Sequence, residues 1–245
     1  MFLCGAPDFQ EKYIKLFAMR SIYSSLTVEE KNFAFSQPQN APKVLGNMEA
    51  FQHALEFGER NIGPYDAKDI ADIINKYDND GTPNGFRRVD GMVQGSNVVI
   101  SSPHNGRMLN DLYYLFHNYY KVWDILKPYE REAKFHLEFT KIHPFEDGNG
   151  RTARIITCRN LMIQNKAPII IGEEDRERYL SLLQNEDVDG LAEFFKQKSE
   201  EEMKVVFETM NLNNEQVFGV RLPESDNEKI NDIETLVLKN NNKLE

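Results

Sequence analysis

The stretch KIHPFEDGNGRTARII, residues 141–156, constrains the fold more than any other part of the chain. Apolar periodicity runs into it from about Arg131 and resumes behind it at Ala153, Ile156, Leu161 and Met162. Pro144 disfavours helical angles at His143, so the first helix has to stop there. Gly148 and Gly150 then lead the chain into a second helix, with backbone no side chain covers. A polar turn is thereby pinned between two helices.

That turn is rich in chemistry. Unpaired backbone N–H groups at a helix start, together with the helix dipole, favour an anion. Arg151 and Arg154 stand about one helical turn apart on one face, and two guanidinium forks suit a polyphosphate. Asp147 is a hard oxygen ligand, and magnesium carried on phosphates takes only one or two protein carboxylates. His143 accepts a proton near neutral pH. These groups together read as a phosphoryl- or nucleotidyl-transfer site. The plainer alternative is a helix stop and restart, with Asn149 as N-cap and the arginines solvated. The concentration of so many such positions favours the functional reading.

The rest of the chain reads as one mainly α unit. Helical periodicity covers residues 8–23, with Phe9, Tyr13, Phe17 and Ile22 on one face. Thr27 followed by Glu30 reads as a capping box that starts a further helix. Other helices are expected at 47–58, from Leu109 to near Lys127, from about Arg131 to Ile142, after the turn, and as a pair over 176–210. Gly95-Ser96 between β-prone runs predicts a hairpin over 92–100. His136 is expected in the core, and the run EEDRER at 173–178 as a solvated helix start.

The chain of 245 residues has a net charge of −10, which argues against binding a nucleic-acid backbone. No apolar run is long enough for a membrane span. With only Cys4 and Cys158 a disulfide framework is not expected, and the cytoplasm is the expected compartment. No P-loop pattern occurs, and His136 with His143 lacks the spacing of a zinc HExxH pair.

The run His143-Pro144-Phe145-Glu146-Asp147-Gly148-Asn149-Gly150-Arg151, with Arg154, resembles the HPFx(D/E)GNGRxxR signature of Fic-domain proteins at every fixed position. The likeness extends over roughly 45–200 and includes GFRRV at 85–89. It implies a helical bundle with a β-hairpin flap, divided into an N-terminal helical region (1–44), a Fic domain (45–210) and a C-terminal extension (211–245). The implied activity is transfer of AMP from ATP to a Ser, Thr or Tyr hydroxyl of a protein, releasing pyrophosphate. His143 would take the hydroxyl proton, and Phe145 would hold the loop by packing inward. Asp147 would bind Mg²⁺, and Gly148, Asn149 and Gly150 would form the anion hole. Arg151 would contact the leaving phosphates and Arg154 the γ-phosphate. Tyr179 or Asn160 would line the adenine pocket. The target would dock on the 92–100 hairpin; self-modification and a homodimer are further expectations. Gly150, where phosphate-transferring relatives carry lysine, favours nucleotidyl transfer. Phosphocholine transfer and a non-catalytic nucleotide-binding module are the alternatives.

Ser25-Leu26-Thr27-Val28-Glu29 resembles the (S/T)xxxE(G/N) inhibitory motif of the same family, with Glu30 where the pattern has Gly or Asn. The resemblance implies that Glu29 pairs with Arg154 and blocks the γ-phosphate, with Ser25 as the motif's first residue.

Overall fold

The computed structural model describes residues 7–29, 40–76, 85–90 and 100–211. Among them the chain is helical: α1 (Pro7–Glu29), α2 (Ala41–Glu56), α3 (Pro64–Asn75), α4 (Arg107–Lys121), α5 (Pro128–Ile142), α6 (Asn149–Ile163), α7 (Arg176–Gln184) and α8 (Val188–Asn211). Short 3-10 turns at His104–Gly106 and Glu173–Asp175 lead into α4 and α7. The expected mainly α architecture is found. The predicted hairpin lies outside the described residues except for Ile100, as do Glu30, Cys4 and the extension beyond Asn211. No described helix is long and apolar enough to cross a membrane.

α6 sits at the centre. Every one of its residues from Arg151 to Met162 is buried, polar ones included. It packs against α5, α3, α2 and α1, while α5 also packs against α8 and α4. A helix covered all round cannot show a one-sided apolar stripe, so its periodicity in sequence is weak. α4 shows the opposite case. Met108, Leu112, Leu115, Phe116 and Tyr119 are buried at i, i+4, i+7, i+8 and i+11, and the other face is open.

The boundaries follow local chemistry. α5 begins at Pro128, whose missing N–H costs nothing in a first turn, rather than at Arg131. It ends at Ile142, as Pro144 requires. α3 was not foreseen, yet it has Pro64 at its first position and Ala67, Ile70, Ala71 and Ile74 buried on one face. The Asp66 carboxylate accepts the Gly63 N–H at 2.8 Å and closes its N-terminus.

The helix start expected at Thr27 is not there. α1 runs unbroken to Glu29, and the Thr27 hydroxyl donates back to the Ser24 carbonyl at 2.9 Å. Tertiary burial overrides the local capping pattern: Leu26, Thr27 and Val28 are all in the core. The solvated helix start expected at 173–178 is also only partly so. Asp175 pairs with Lys198 at 2.6 Å, and Arg176 Nε donates to the Val28 carbonyl at 2.8 Å.

Candidate active site

His143 is the first residue after α5 and takes left-handed angles, φ 50° and ψ 60°. Its N–H still donates to the Phe139 carbonyl at 3.0 Å, which ends the helix and turns the chain out of it. Pro144 and Phe145 follow inward. The buried Phe145 ring stacks on Phe86 with centroids 5.8 Å apart and lies 6.1 Å from Phe139. Phe86 and Phe145 also form an antiparallel bridge, which lays the GFRRV segment against the turn.

The turn is closed by Asn149. Its Oδ1 accepts the Phe145 N–H at 2.9 Å and its Nδ2 donates to the Phe145 carbonyl at 2.8 Å. Asn149 is thus the first residue of α6 rather than its N-cap, which is Gly148. Gly148 has φ 81°, and a Cβ there would lie 2.9 Å from Asn75 Nδ2. Both the angle and the space require glycine.

The cations stand on the first turns of α6. Arg151 Nη2 donates to Asp147 Oδ2 at 2.9 Å and to Asn75 Oδ1 at 3.1 Å. Its buried Nη1 has no hydrogen-bond partner among the described residues. A buried guanidinium nitrogen without an acceptor, beside a helix N-terminus, fits an anionic ligand. Asp147 is 69% exposed at the mouth of the turn. Among the described residues no group of three or more His, Cys, Asp or Glu could cage a metal. A lone carboxylate at the mouth fits a magnesium ion that arrives on a nucleotide, because such ions keep most of their ligands from water and phosphate.

Arg154 is engaged from α1. Its Nη2 donates to Glu29 Oε1 at 2.7 Å and to the Ser25 carbonyl at 3.2 Å, and its Nε donates to Ser25 Oγ at 3.0 Å. Glu29 Oε1 comes so close to α6 that a Cβ on Gly150 would lie 2.6 Å from it. Glycine at 150 therefore leaves room for the carboxylate over the start of α6. The Tyr179 hydroxyl stands 2.7 Å from His136 Nε2. His136 Nδ1 lies 2.9 Å from Thr157 Oγ1.

Burial holds His143 below the ordinary imidazole value of 6.5. The nearby Arg87 charge pushes the same way, and Glu29 and Asp147 oppose it. The imidazole is therefore neutral, a proton acceptor, at physiological pH. His136 is in the core as expected, and burial pushes it down to about 3. Tyr179 and Asn160, expected beside the adenine, lie in the interior. Both are buried, Tyr179 on His136 and Asn160 donating to Glu132 Oε2 at 3.1 Å.

Two contributors escaped sequence reasoning. Asn75 closes α3 and bonds Arg151, and through Nδ2 the Asp147 carbonyl at 3.3 Å. Arg87 Nε donates to the His143 carbonyl at 3.0 Å. A single asparagine at a helix end carries no signal, whereas Arg87 lies within GFRRV, a segment already noticed.

Two helices joined by a tight polar turn, with a neutral histidine on one side and two buried arginines on the other, define a helical domain with a polar site at its centre. Residues 61–161 match the model of the Fic/DOC family. The chain is 22% identical over 190 residues to a probable protein adenylyltransferase of Aquifex aeolicus, covering 73% of this chain and 58% of that one. It is 45% identical over 60 residues to the protein adenylyltransferase Fic of Nematostella vectensis, covering 24% of this chain and 14% of that one. The match thus spans less than two thirds of either relative. Among solved structures, a Fic domain containing signaling protein from Bacteroides thetaiotaomicron superposes with a TM-score of 0.70 at 19% identity, over 83% of this chain and 90% of that one. Fic-1 from C. elegans gives 0.68 at 16%, over 84% and 66%. At these identities the structures speak for the fold alone.

Proposed function

We propose that the protein is an adenylyltransferase that moves AMP from ATP to a hydroxyl side chain of a protein. The observation that carries this reading is the pairing of a neutral His143 with a turn whose buried Arg151 Nη1 lacks an acceptor. The adenylyltransferase names of the relatives supply the choice of AMP as the group transferred.

The target hydroxyl attacks the α-phosphorus while His143 takes its proton. The bond to the β-phosphate oxygen breaks and pyrophosphate leaves. The N–H groups at Asn149 and Gly150, joined by that of Gly148 when Asp147 Oδ1 releases it, receive the phosphates, and Arg151 and Arg154 bind the leaving portion. Asp147 would hold Mg²⁺, which supplies charge neutralisation on the phosphates when bound. The hydroxyl-bearing segment docks beside residues 92–100, whose flanks at Val89 and Ser101 are tied to the His143 carbonyl by Arg87. Self-modification is the simplest form of the reaction, and the cytoplasm its place of action.

The structure has Glu29 on Arg154, the residue assigned to the γ-phosphate. We read this pair as a brake that competes with ATP for one guanidinium. Glu29 is 42% exposed, so its carboxylate reaches water without moving the helix.

The test is incubation with α-labelled ATP and Mg²⁺. His143→Ala removes labelling and keeps most of the thermal stabilisation by the nucleotide. Glu29→Gly labels faster than the parent. Labelling of the His143→Ala protein at the parental rate would overturn the assignment of the base. Because the imidazole is held below 6.5, transfer by the parent stays near its maximum as pH is lowered toward that value.

A further inference from the structure

Arg87 is 5% exposed and directs its side-chain nitrogens to the main chain. Nε donates to the His143 carbonyl at 3.0 Å, Nη1 to Val89 at 2.6 Å and Nη2 to Ser101 at 2.5 Å. Its own N–H donates to the Pro144 carbonyl at 2.8 Å. Among the described residues it makes no ion pair, and only Asp90 offsets its charge from further off. A buried guanidinium held by carbonyls alone is an expensive arrangement, since no carboxylate compensates its lost hydration.

What it grips explains the arrangement. His143 has a positive φ of 50° without being glycine, and it precedes a proline that steers it toward extended angles. Such a conformation is strained and persists only when its surroundings fix it. The His143 N–H is fixed by α5, through Phe139. The carbonyl is the other end of the residue, and Arg87 holds it. The Ser101 N–H donates to the Lys141 carbonyl at 3.3 Å, so the same strip of chain also steadies the end of α5.

We propose that Arg87 is the positioning residue for His143: its fork clamps the His143 carbonyl to residues 89 and 101 and so keeps the left-handed turn that aims the imidazole. This rests on the reading of His143 as the base of adenylyl transfer. The charge has a second effect. The groups acting on the imidazole are Arg87, Glu29, Asp147 and the Thr140 backbone, and Arg87 is the one cation among them. In the E29G background, removing it leaves Asp147 as the one charge acting on the imidazole among these groups, which draws it toward its protonated form.

The experiment compares full-length E29G with E29G/R87K and E29G/R87M, after thermal unfolding has established which are folded. Transfer is read with α-labelled ATP and Mg²⁺, and nucleotide affinity with a non-hydrolysable ATP analogue. R87M lowers the transfer rate about 100-fold, the scale of a misplaced catalytic group. It leaves analogue affinity within about twofold, because the phosphate ligands are untouched. R87K keeps the charge but not the fork and regains roughly tenfold of that loss. The acid limb of the pH–rate profile moves upward in R87M and stays in place in R87K. A merely structural role would lower rate and affinity together. That outcome, or a rate within about twofold of E29G, overturns the proposal.

If R87M does not fold, R87K decides: about a tenfold loss at unchanged affinity supports the clamp, and no loss overturns it. If E29G transfers no AMP at all, the adenylyltransferase reading fails, and the clamp is judged on the His143 ring resonance, assigned with H143A. A displaced resonance in R87K or R87M supports it, and an unchanged one overturns it.

Discussion

Asn75 ties together Arg151 and Asp147, which also pair with each other. Its Oδ1 accepts from Arg151 and its Nδ2 donates to the Asp147 and Ala71 carbonyls. Asn75→Ala leaves buried donors and acceptors unpaired, at a cost of about 1–3 kcal/mol. It also frees the Arg151 fork to leave its phosphate-facing position. The expected result is ATP binding about tenfold weaker, measured by calorimetry with Mg²⁺, on the usual scale for a lost supporting contact. His143→Ala, by contrast, leaves that affinity near parental. Equal losses in the two proteins would mean that Asn75 does not orient Arg151. Ser25 and Glu29 separate in the same way, since only Glu29 carries a charge that competes with a phosphate. Glu29→Gly therefore stimulates transfer more than Ser25→Ala does.

Helices α4, α5 and α6 enclose a carboxyl. Glu132 accepts from Asn160 and Gln164 and from the Tyr119 hydroxyl, and burial pushes it up to about 7. One turn further along the same face of α5, His136 is pushed down to about 3. The raised carboxyl contributes stability that is full below its unfolded value of 4.5 and is lost as pH rises to about 7. The depressed histidine contributes stability present above 6.5 and lost as pH falls toward about 3. Between 4.5 and 6.5 the two slopes oppose each other. Glu132→Gln removes one of them, so the variant loses stability on acidification faster than the parent, by on the order of 1 kcal/mol per pH unit at most. Urea unfolding at several pH values across that window checks it; parallel curves would show that Glu132 is ionised in the folded state. The same helices show what the sequence made legible. The stop at His143 and the restart at α6 were readable because proline and glycine act locally. α3 is equally legible, from Pro64 and its Ala67–Ile70–Ala71–Ile74 face. The continuity of α1 through Thr27 was not readable, because burial of Leu26 and Val28 against distant elements outweighs a local cap. The grip of Asn75 on Arg151 and of Arg87 on His143 depends on how elements far apart in the chain meet, and no periodicity encodes that.

At the scale of the whole molecule, the position of Glu29 is inseparable from the core. α1 buries Tyr13, Phe17, Ile22 and Leu26 almost completely, each contributing about 1.5–3 kcal/mol as an upper estimate. Glu202 on α8 accepts both Arg20 nitrogen contacts, at 2.9 and 3.0 Å, and the Tyr13 hydroxyl at 2.9 Å. Arg176 holds the Val28 carbonyl at the other end of the helix. Undocking α1 would thus consume most of the 5–15 kcal/mol that stabilises a typical domain. Nucleotide binding cannot supply that and still be tight, so relief of the brake has to be a movement of the half-exposed Glu29 side chain rather than of α1. Two variants separate these mechanisms. Glu29→Gly keeps its unfolding midpoint within about 4 °C of the parent, the shift expected for an effect under roughly 1 kcal/mol, and labels faster. A chain lacking residues 1–29 exposes the apolar bed of α1 and does not fold cooperatively, as seen by calorimetry and size-exclusion chromatography. A truncated protein that folds and transfers AMP at the Glu29→Gly rate would show that α1 is a detachable cover, and the side-chain mechanism would have to be given up.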